Sequence, residues 1–395
     1  MANRSKSAFD AAIVGGGVIG LAIAWRAAQR GLRVTVLERE EPGAGGASWV
    51  AAGMLAPVTE ASPTEQPLLG LNLASAGMYP RFAAELQDAS GIDPGFLRCG
   101  TLLAARDRDE AAALERELEM RQALGLVVRR LRASEARRLE PALSPALRLA
   151  LEAPEDHAVD PRALTDSLAE AARAAGAHLR GGAEVAEVRT SGGRVRGVRL
   201  TGGEDVAAEH VVVAAGAWSA ALGGIPDEAR VPIHPVKGQI LRLHDPAGAG
   251  VLTRVVRMSD GYLVPRGDGR YVLGATMEER GFDTTVTAGA IFELLRDAVD
   301  LVPAVSELVI DELEAGLRPG TLDNAPAIGP GAVPGLHWAT GHYRNGVLLA
   351  PLTAEIVAGA LAGEAPHELA HPFAPDRFIT VSAHGNRAVP HPVGA

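Results

Sequence analysis

The stretch Ala11-Ala12-Ile13-Val14-Gly15-Gly16-Gly17-Val18-Ile19-Gly20 decides how this chain is read. Ala11 to Val14 predicts a short buried strand. Gly15 permits a tight turn, Gly17 lets backbone approach a pyrophosphate, and Gly20 lets the following helix pack closely on the strand. The helix is expected to run to about Arg30, with Gly31 as its stop. Arg33 to Leu37 reads as a second strand. It ends at Glu38, 23 residues after Gly15, near the spacing of a carboxylate that binds a ribose hydroxyl. Glycines at this spacing are a weak signal alone. With strand, helix, second strand and acid around them, they predict a dinucleotide-binding βαβ unit.

The 395 residues allow two or three domains, and 47% hydrophobic with 22% charged residues suits a globular enzyme. A formal net charge of −10 argues against nucleic acid or an anionic membrane surface as partner. Of the 38 Lys and Arg residues only Lys6 and Lys237 are lysines, a bias of composition rather than of function. Cys99 is the only cysteine, which excludes an internal disulfide and a cysteine-based metal site. The 11 histidines show no metal-ligand spacing, and no metal is expected. Ala11 to Trp25 has the length of a signal-peptide core, but four glycines interrupt it and Asp10 precedes it. No apolar run reaches bilayer length. The expected compartment is the cytoplasm.

Further along, Gly43 to Pro57 reads as a Gly- and Ala-rich loop leading into a helix start. Helices are expected over 68–90, 107–124, 161–175, 287–301 and 348–361. A hairpin is expected over 184–200 around Ser191-Gly192-Gly193, and a buried parallel strand over 210–215. Residues 231–273 are mostly β in character, 312–318 extended, and 338–340 a short strand. This order predicts an α/β nucleotide domain interrupted by a second domain in two pieces.

Six stretches now define a likeness: GGGVIG with Glu38, GGASWVAAGML (45–55), VVVAAGAWS (211–219), DGYLVPRGDGRYVLGATME (260–278), GLRPGTLDNAPAIGP (316–330) and GHYRNGVLLAP (341–351). In these, and in their order, the chain resembles the D-amino acid oxidase superfamily of FAD-dependent oxidoreductases, most of all the glycine oxidases of thiamine biosynthesis. The resemblance implies a discontinuous Rossmann-like FAD-binding domain (8–88, 156–226 and 320–378) and an antiparallel-sheet-based α+β substrate domain (89–155 and 227–319). A loosely ordered tail is expected over 382–395. The cofactor implied is FAD, held non-covalently: Cys99, in an expected strand over 96–99, reads as a small packing residue. Besides Gly15, Gly17, Val18, Ile19, Gly20 and Glu38, the implied FAD contacts are Arg39, Ala47, Ser48, Ala52, Gly53, Met54, Val185, Gly216 and Trp218. They continue through His342, Tyr343, Arg344, Asn345, Gly346, Val347 and Leu348. Trp49-Val50 departs from the small residues expected at this point of the loop. A helix beginning at Leu348 just after Asn345-Gly346 would aim its partial positive charge at the flavin and favour the anionic reduced ring.

Asp268-Gly269 is a hairpin signal. With those two residues as the turn, Tyr262 would pair with Ala275, and Met277 would lie on the same face one diagonal step away. The resemblance assigns Tyr262 to the substrate carboxylate and Met277 to its α-carbon. It makes Arg318, in GLRPG, the carboxylate clamp, for which a planar bidentate guanidinium is suited. Arg344 is given a supporting catalytic role, His342 a structural one beside the flavin, and Lys237 a structural one between domains. No acid–base pair stands out. A neutral amine can release hydride from Cα to flavin N5, leaving the protein to orient and desolvate.

The activity implied is oxidative deamination of glycine and other small amines. Dioxygen is the acceptor, and the products are glyoxylate, ammonia and hydrogen peroxide, with glycine imine supplied to the thiazole of thiamine. A homo-oligomer is implied. Other readings remain open at this point: sarcosine or D-alanine as substrate, a dehydrogenase with another electron acceptor, a flavin-binding module without turnover, or an NAD-dependent dehydrogenase.

Overall fold

The strand Phe9–Val14 sits inside an eight-stranded sheet, with Val34–Leu37 on one side and Asp205–Val213 on the other, both parallel to it. His178–Arg180 extends the sheet beyond the first neighbour, and Leu336–Thr340 and then the antiparallel Ala327–Pro330 extend it beyond the second. Parallel strands bonded on both edges are covered on both faces, which is why Ala11–Val14 and Val211–Val213 are continuous apolar runs. One face carries the helices Val18–Gln29, Gln66–Ser90, Pro161–Ala174 and Gly346–Leu361. The other carries the hairpin Val185–Ser191 and Arg194–Leu200, turned at Gly192-Gly193. This computed structural model describes residues 9–378. The expected tail, 382–395, and residue 8 lie outside them.

The second eight-stranded sheet runs, in spatial order, Val309–Gly320, His234–His244, Arg270–Gly274, Gly261–Pro265, Val255–Met258, Thr101–Ala105, Leu149–Ala153 and Arg129–Arg132. Its neighbours are antiparallel except Val255–Met258 with Thr101–Ala105. The helix Ala288–Leu301 closes an apolar core against it through Leu294, Ala298 and Leu301. We propose the domain division at the boundaries given above, which separate the strands of the two large sheets except for Gly320, the last residue of the strand Val309–Gly320.

Two local expectations are corrected. Tyr262 pairs with Gly274, not Ala275, and Leu263 with Leu273. The loop has three residues: Arg266 N–H donates to Arg270 O, enclosing Gly267, Asp268 and Gly269, with both glycines at positive φ. A three-residue loop shifts the register by one against a two-residue turn. The segment 96–99 is not a strand, for only Leu97 makes an isolated bridge, to Ala158. Cys99 is half-buried there, with Ala52, Ala158 and Ile240 nearby in one apolar cluster, and burial pushes its thiol up.

Candidate active site

Between the two sheets lies a cavity of about 1240 Å³ that runs from the glycine turn after the first strand to the second sheet. At the glycine turn Gly15 has φ 107°, and a Cβ on it would overlap Ala214 O. A Cβ on Gly20 would overlap Gly15 O. Gly20 therefore serves helix-on-strand packing and does not line the cavity, against the expected cofactor contact. Gly17 faces Ser48: a Cβ there would lie 3.0 Å from Ser48 Oγ, which accepts Val18 N–H at 3.0 Å. Glu38 Oε2 accepts Gly16 N–H at 2.7 Å, so the acid ending the second strand also braces the turn. Arg39 stacks over the Trp218 ring at 3.9 Å. Gly15, Gly17, Val18, Glu38, Arg39, Ser48 and Trp218 line the cavity with Ile19, Ala47, Ala52, Gly53, Met54, Val185 and Gly216.

The divergent Trp49-Val50 pair has a place. Trp49 stacks under Arg162 at 4.2 Å, and its carbonyl accepts from Arg242 Nη2 at 2.6 Å, while Val50 lines the cavity and packs against Gly316. Buried Arg266, just before the hairpin loop, donates to Ala52 O at 2.8 Å and Val159 O at 3.2 Å and so ties the second sheet to this wall.

On the same wall the chain turns from Thr340 into the helix Gly346–Leu361 through Gly341 (φ 76°) and Tyr343 (φ 48°). Asn345 immediately precedes the helix and its side chain makes no capping bond, and Asn345, Gly346 and Val347 line the cavity. A helix start of this kind offers N–H groups and partial positive charge to an electron-rich group. Leu348 does not line the cavity. It is buried in the helical core, and its carbonyl accepts Ser75 Oγ at 2.7 Å. His342 Nε2 lies 3.0 Å from Thr353 Oγ1, and burial pushes the imidazole down to about 3, which keeps it neutral.

At the cavity's other end stands Arg318, on the edge strand Val309–Gly320. Its Nη1 donates to Thr276 O at 3.1 Å. The guanidinium passes over Gly238 of the neighbouring strand, where a Cβ would come within 2.5 Å of Nη1. Tyr262 is accommodated in the same way: a Cβ on Gly274 opposite would lie 3.0 Å from its ring. Burial pushes the Tyr262 hydroxyl up, and the Arg318 charge opposes this. Met277 lies at the mouth, 68% exposed, and its Sδ accepts the Tyr343 hydroxyl at 2.7 Å. Its partner is thus Tyr343, where the two-residue-turn register had set Met277 diagonal to Tyr262. Lys237 is buried away from the lining, with Nζ 2.9 Å from Asp283.

Two further charged residues were missed. Glu60, between the flavin-loop motif and a helix, accepts Arg257 at 2.6 Å and Arg344 at 2.9 Å. Burial pushes its carboxyl up, but Arg257, Arg344, Arg121 and Arg318 outweigh this and hold it below the usual range. Arg257 stands directly across from Tyr262 in the antiparallel pair closed by Ser259-Asp260. Reading that short turn would have found Arg257. No spacing pointed to Glu60.

A parallel sheet with a glycine turn and a paired acid, facing a second sheet that presents a guanidinium and a phenol, defines a dinucleotide-dependent oxidoreductase. Residues 10–360 match the FAD dependent oxidoreductase family, and the chain belongs to that family. It is 40% identical over 379 residues to the glycine oxidase of Geobacillus kaustophilus, covering 94% of this chain and 97% of that one. The crystal structure of glycine oxidase from the same organism superposes with a TM-score of 0.86 at 38% identity, over 93% of this chain and 98% of the other. A bifunctional protein ThiO/ThiG of Synechocystis is 35% identical over 94% of this chain, which covers 54% of it. The residues fit FAD on their own terms. The glycine turn has no room for side chains, the cavity is long, and a helix N-terminus opens on it.

Proposed function

We propose that the protein oxidises glycine, and other small amines more slowly, to the 2-oxo acid and ammonia. Glyoxylate is the product from glycine, with dioxygen as acceptor and hydrogen peroxide released. The observation that carries this reading is Arg318, aimed into the cavity beside Tyr262 through the space left by Gly238 and Gly274. FAD, when bound, supplies the hydride acceptor. Gly15, Gly17, Val18, Ile19, Glu38, Arg39, Ala47, Ser48, Ala52, Gly53, Met54, Val185, Gly216, Trp218 and the turn 342–347 would hold it. Arg318 receives the α-carboxylate as a bidentate partner, and Tyr262, kept neutral by burial, donates to the same group. Arg344 and Met277 border the site at its mouth. Neither His342, neutral and facing Thr353, nor Glu60, held ionised between two arginines, is free to take a proton. We take the substrate amine to arrive neutral. Orientation by Arg318 and exclusion of water then carry the rate.

The likeness to glycine oxidases and to ThiO/ThiG supports a supply of glycine imine for the thiazole of thiamine. No described helix is long and apolar enough to cross a membrane, and we place the protein in the cytoplasm. Val309, Ile310 and Leu313, exposed on the edge strand, favour a homo-oligomer. The test is anaerobic mixing of the purified flavoprotein with glycine, sarcosine and D-alanine. Glycine is expected to bleach the flavin fastest, and air should then restore the colour and release peroxide. Bleaching by none of the three would overturn the reading. Bleaching without peroxide would overturn dioxygen as acceptor.

A further inference from the structure

More guanidiniums line the cavity around Tyr262 than one carboxylate needs, and the carboxylates of Glu60, Asp260 and Glu278 line it with them. Arg257, Arg318 and Arg344 all line it. Glu60, on the loop after Leu55, engages two of the three, with Oε1 2.6 Å from Arg257 and Oε2 2.9 Å from Arg344. That loop is fixed from beneath. Asp156 accepts the N–H groups of Val58 and Thr59 at 2.9 and 2.7 Å. Arg121 donates to the carbonyls of both residues, and Arg257 to that of Thr59 at 2.9 Å. Glu60 is thus a built counter-ion and not a side chain that swings in and out.

We propose that Glu60 sets the charge specificity of the site. By pairing with Arg257 and Arg344 it leaves Arg318, which donates to backbone carbonyls, as the guanidinium beside Tyr262 without a carboxylate partner among the described residues, which selects amines bearing one carboxylate and turns away those bearing two. This rests on the oxidase reading for the location of the substrate and goes beyond it in substrate class. The physical basis is direct. A second carboxylate entering beside Tyr262 would meet Arg257, its cross-strand neighbour, only by displacing Glu60 or by lying against its negative charge. Neutralising Glu60 removes the repulsion and releases both guanidiniums.

The test uses a matched pair of ethers that have no amine to oxidise: methoxyacetate, with one carboxylate, and diglycolate, with two. Each is titrated into the FAD-loaded enzyme and followed by the flavin absorbance change. The wild type is expected to bind methoxyacetate more tightly. In Glu60→Gln the ratio of the two dissociation constants should move toward diglycolate by roughly tenfold or more, the scale of one charge-assisted hydrogen bond. Glu60→Asp, which keeps the charge, should stay near the wild-type ratio. Arg257→Gln should move the ratio away from diglycolate, and it keeps the question open to measurement if Glu60→Gln fails to fold. An unchanged ratio in Glu60→Gln, or a shift toward diglycolate in Arg257→Gln, would overturn the proposal. Failure of the wild type to turn over glycine would sink the oxidase reading instead, and leaves this binding ratio measurable.

Discussion

The guanidinium of Arg318 occupies the space that a side chain on Gly238 would fill: a Cβ at 238 would stand 2.5 Å from Nη1 and 2.6 Å from Nη2. The two residues lie on adjacent antiparallel strands, with Val236 directly opposite Arg318. Gly238→Ala should therefore act on the arginine and not on the fold, for position 238 sits in a regular strand. The methyl group pushes the guanidinium off its position, and misplacement of a clamp is felt strongly in turnover. The expected outcome is a KM for glycine raised roughly tenfold, with unchanged FAD content. Steady-state kinetics beside the absorbance ratio of flavin to protein would check both. A normal KM would show that the arginine has another place to go.

Arg318 itself can be tested directly. Arg318→Ala removes the charged partner of the substrate carboxylate, worth about 1.5–3 kcal/mol for a charged hydrogen bond. At about 1.4 kcal/mol per decade, kcat/KM for glycine should fall roughly tenfold or more. Arg318→Lys should recover only part of this, because an ammonium cannot make the planar two-bond contact. Equal rates for the lysine variant and the wild type would argue for a simple charge effect.

What could be read from the chain differs between the two halves of the site. The dinucleotide half is written in local chemistry: a turn that only glycine fits, a helix start, and an acid at a fixed distance along one βαβ unit. The expected residues that line the cavity were legible for that reason, and the two that do not line it, Gly20 and Leu348, are packing residues. The substrate half depends on strands brought together from far apart. Tyr262 and Arg318 were legible only through motif likeness, and their glycine neighbours, Gly274 and Gly238, emerged only with the register. Asp268-Gly269 looked like a complete turn, yet Gly267 joins the loop with positive φ and shifts the pairing by one. Arg257 was one arginine among many until its cross-strand partner was known. Glu60 has no periodic or spacing signal, since what fixes it is Asp156, Arg121 and Arg257 acting on a loop.

Glu38 offers a test of the cofactor end that is independent of turnover. Its carboxylate accepts the N–H of Gly16 at 2.7 Å and ends the second strand of the βαβ unit, where a ribose hydroxyl would reach it. Glu38→Ala removes both the brace on the glycine turn and that partner. FAD affinity should weaken by roughly one to two decades, the equivalent of about 1.5–3 kcal/mol. Release of flavin fluorescence on dilution measures it. Unaltered retention of FAD would place the ribose elsewhere.

The buried His342 makes a prediction about pH and stability. Its imidazole is pushed down to about 3 by burial, against about 6.5 in an unfolded chain. Below about pH 6.5 the unfolded chain takes up a proton that the folded one refuses. The contribution of this group is therefore complete above that pH and is lost progressively as pH falls toward 3. Between pH 7 and 5 the loss should be about 2 kcal/mol. His337, pushed down to about 4, acts in the same direction. Asp156 acts in the opposite one: burial, only partly offset by the Val58 and Thr59 N–H groups, lifts it to about 6, which favours the fold on the acid side of that value. His342→Gln isolates the first effect, because an amide does not titrate and can still bond to Thr353. Denaturant unfolding of both proteins at pH 7 and pH 5 should show the variant losing about 2 kcal/mol less than the wild type on acidification. Equal losses would mean that the ring at 342 is protonated in the folded protein, and it would then stand as a cation beside the cofactor.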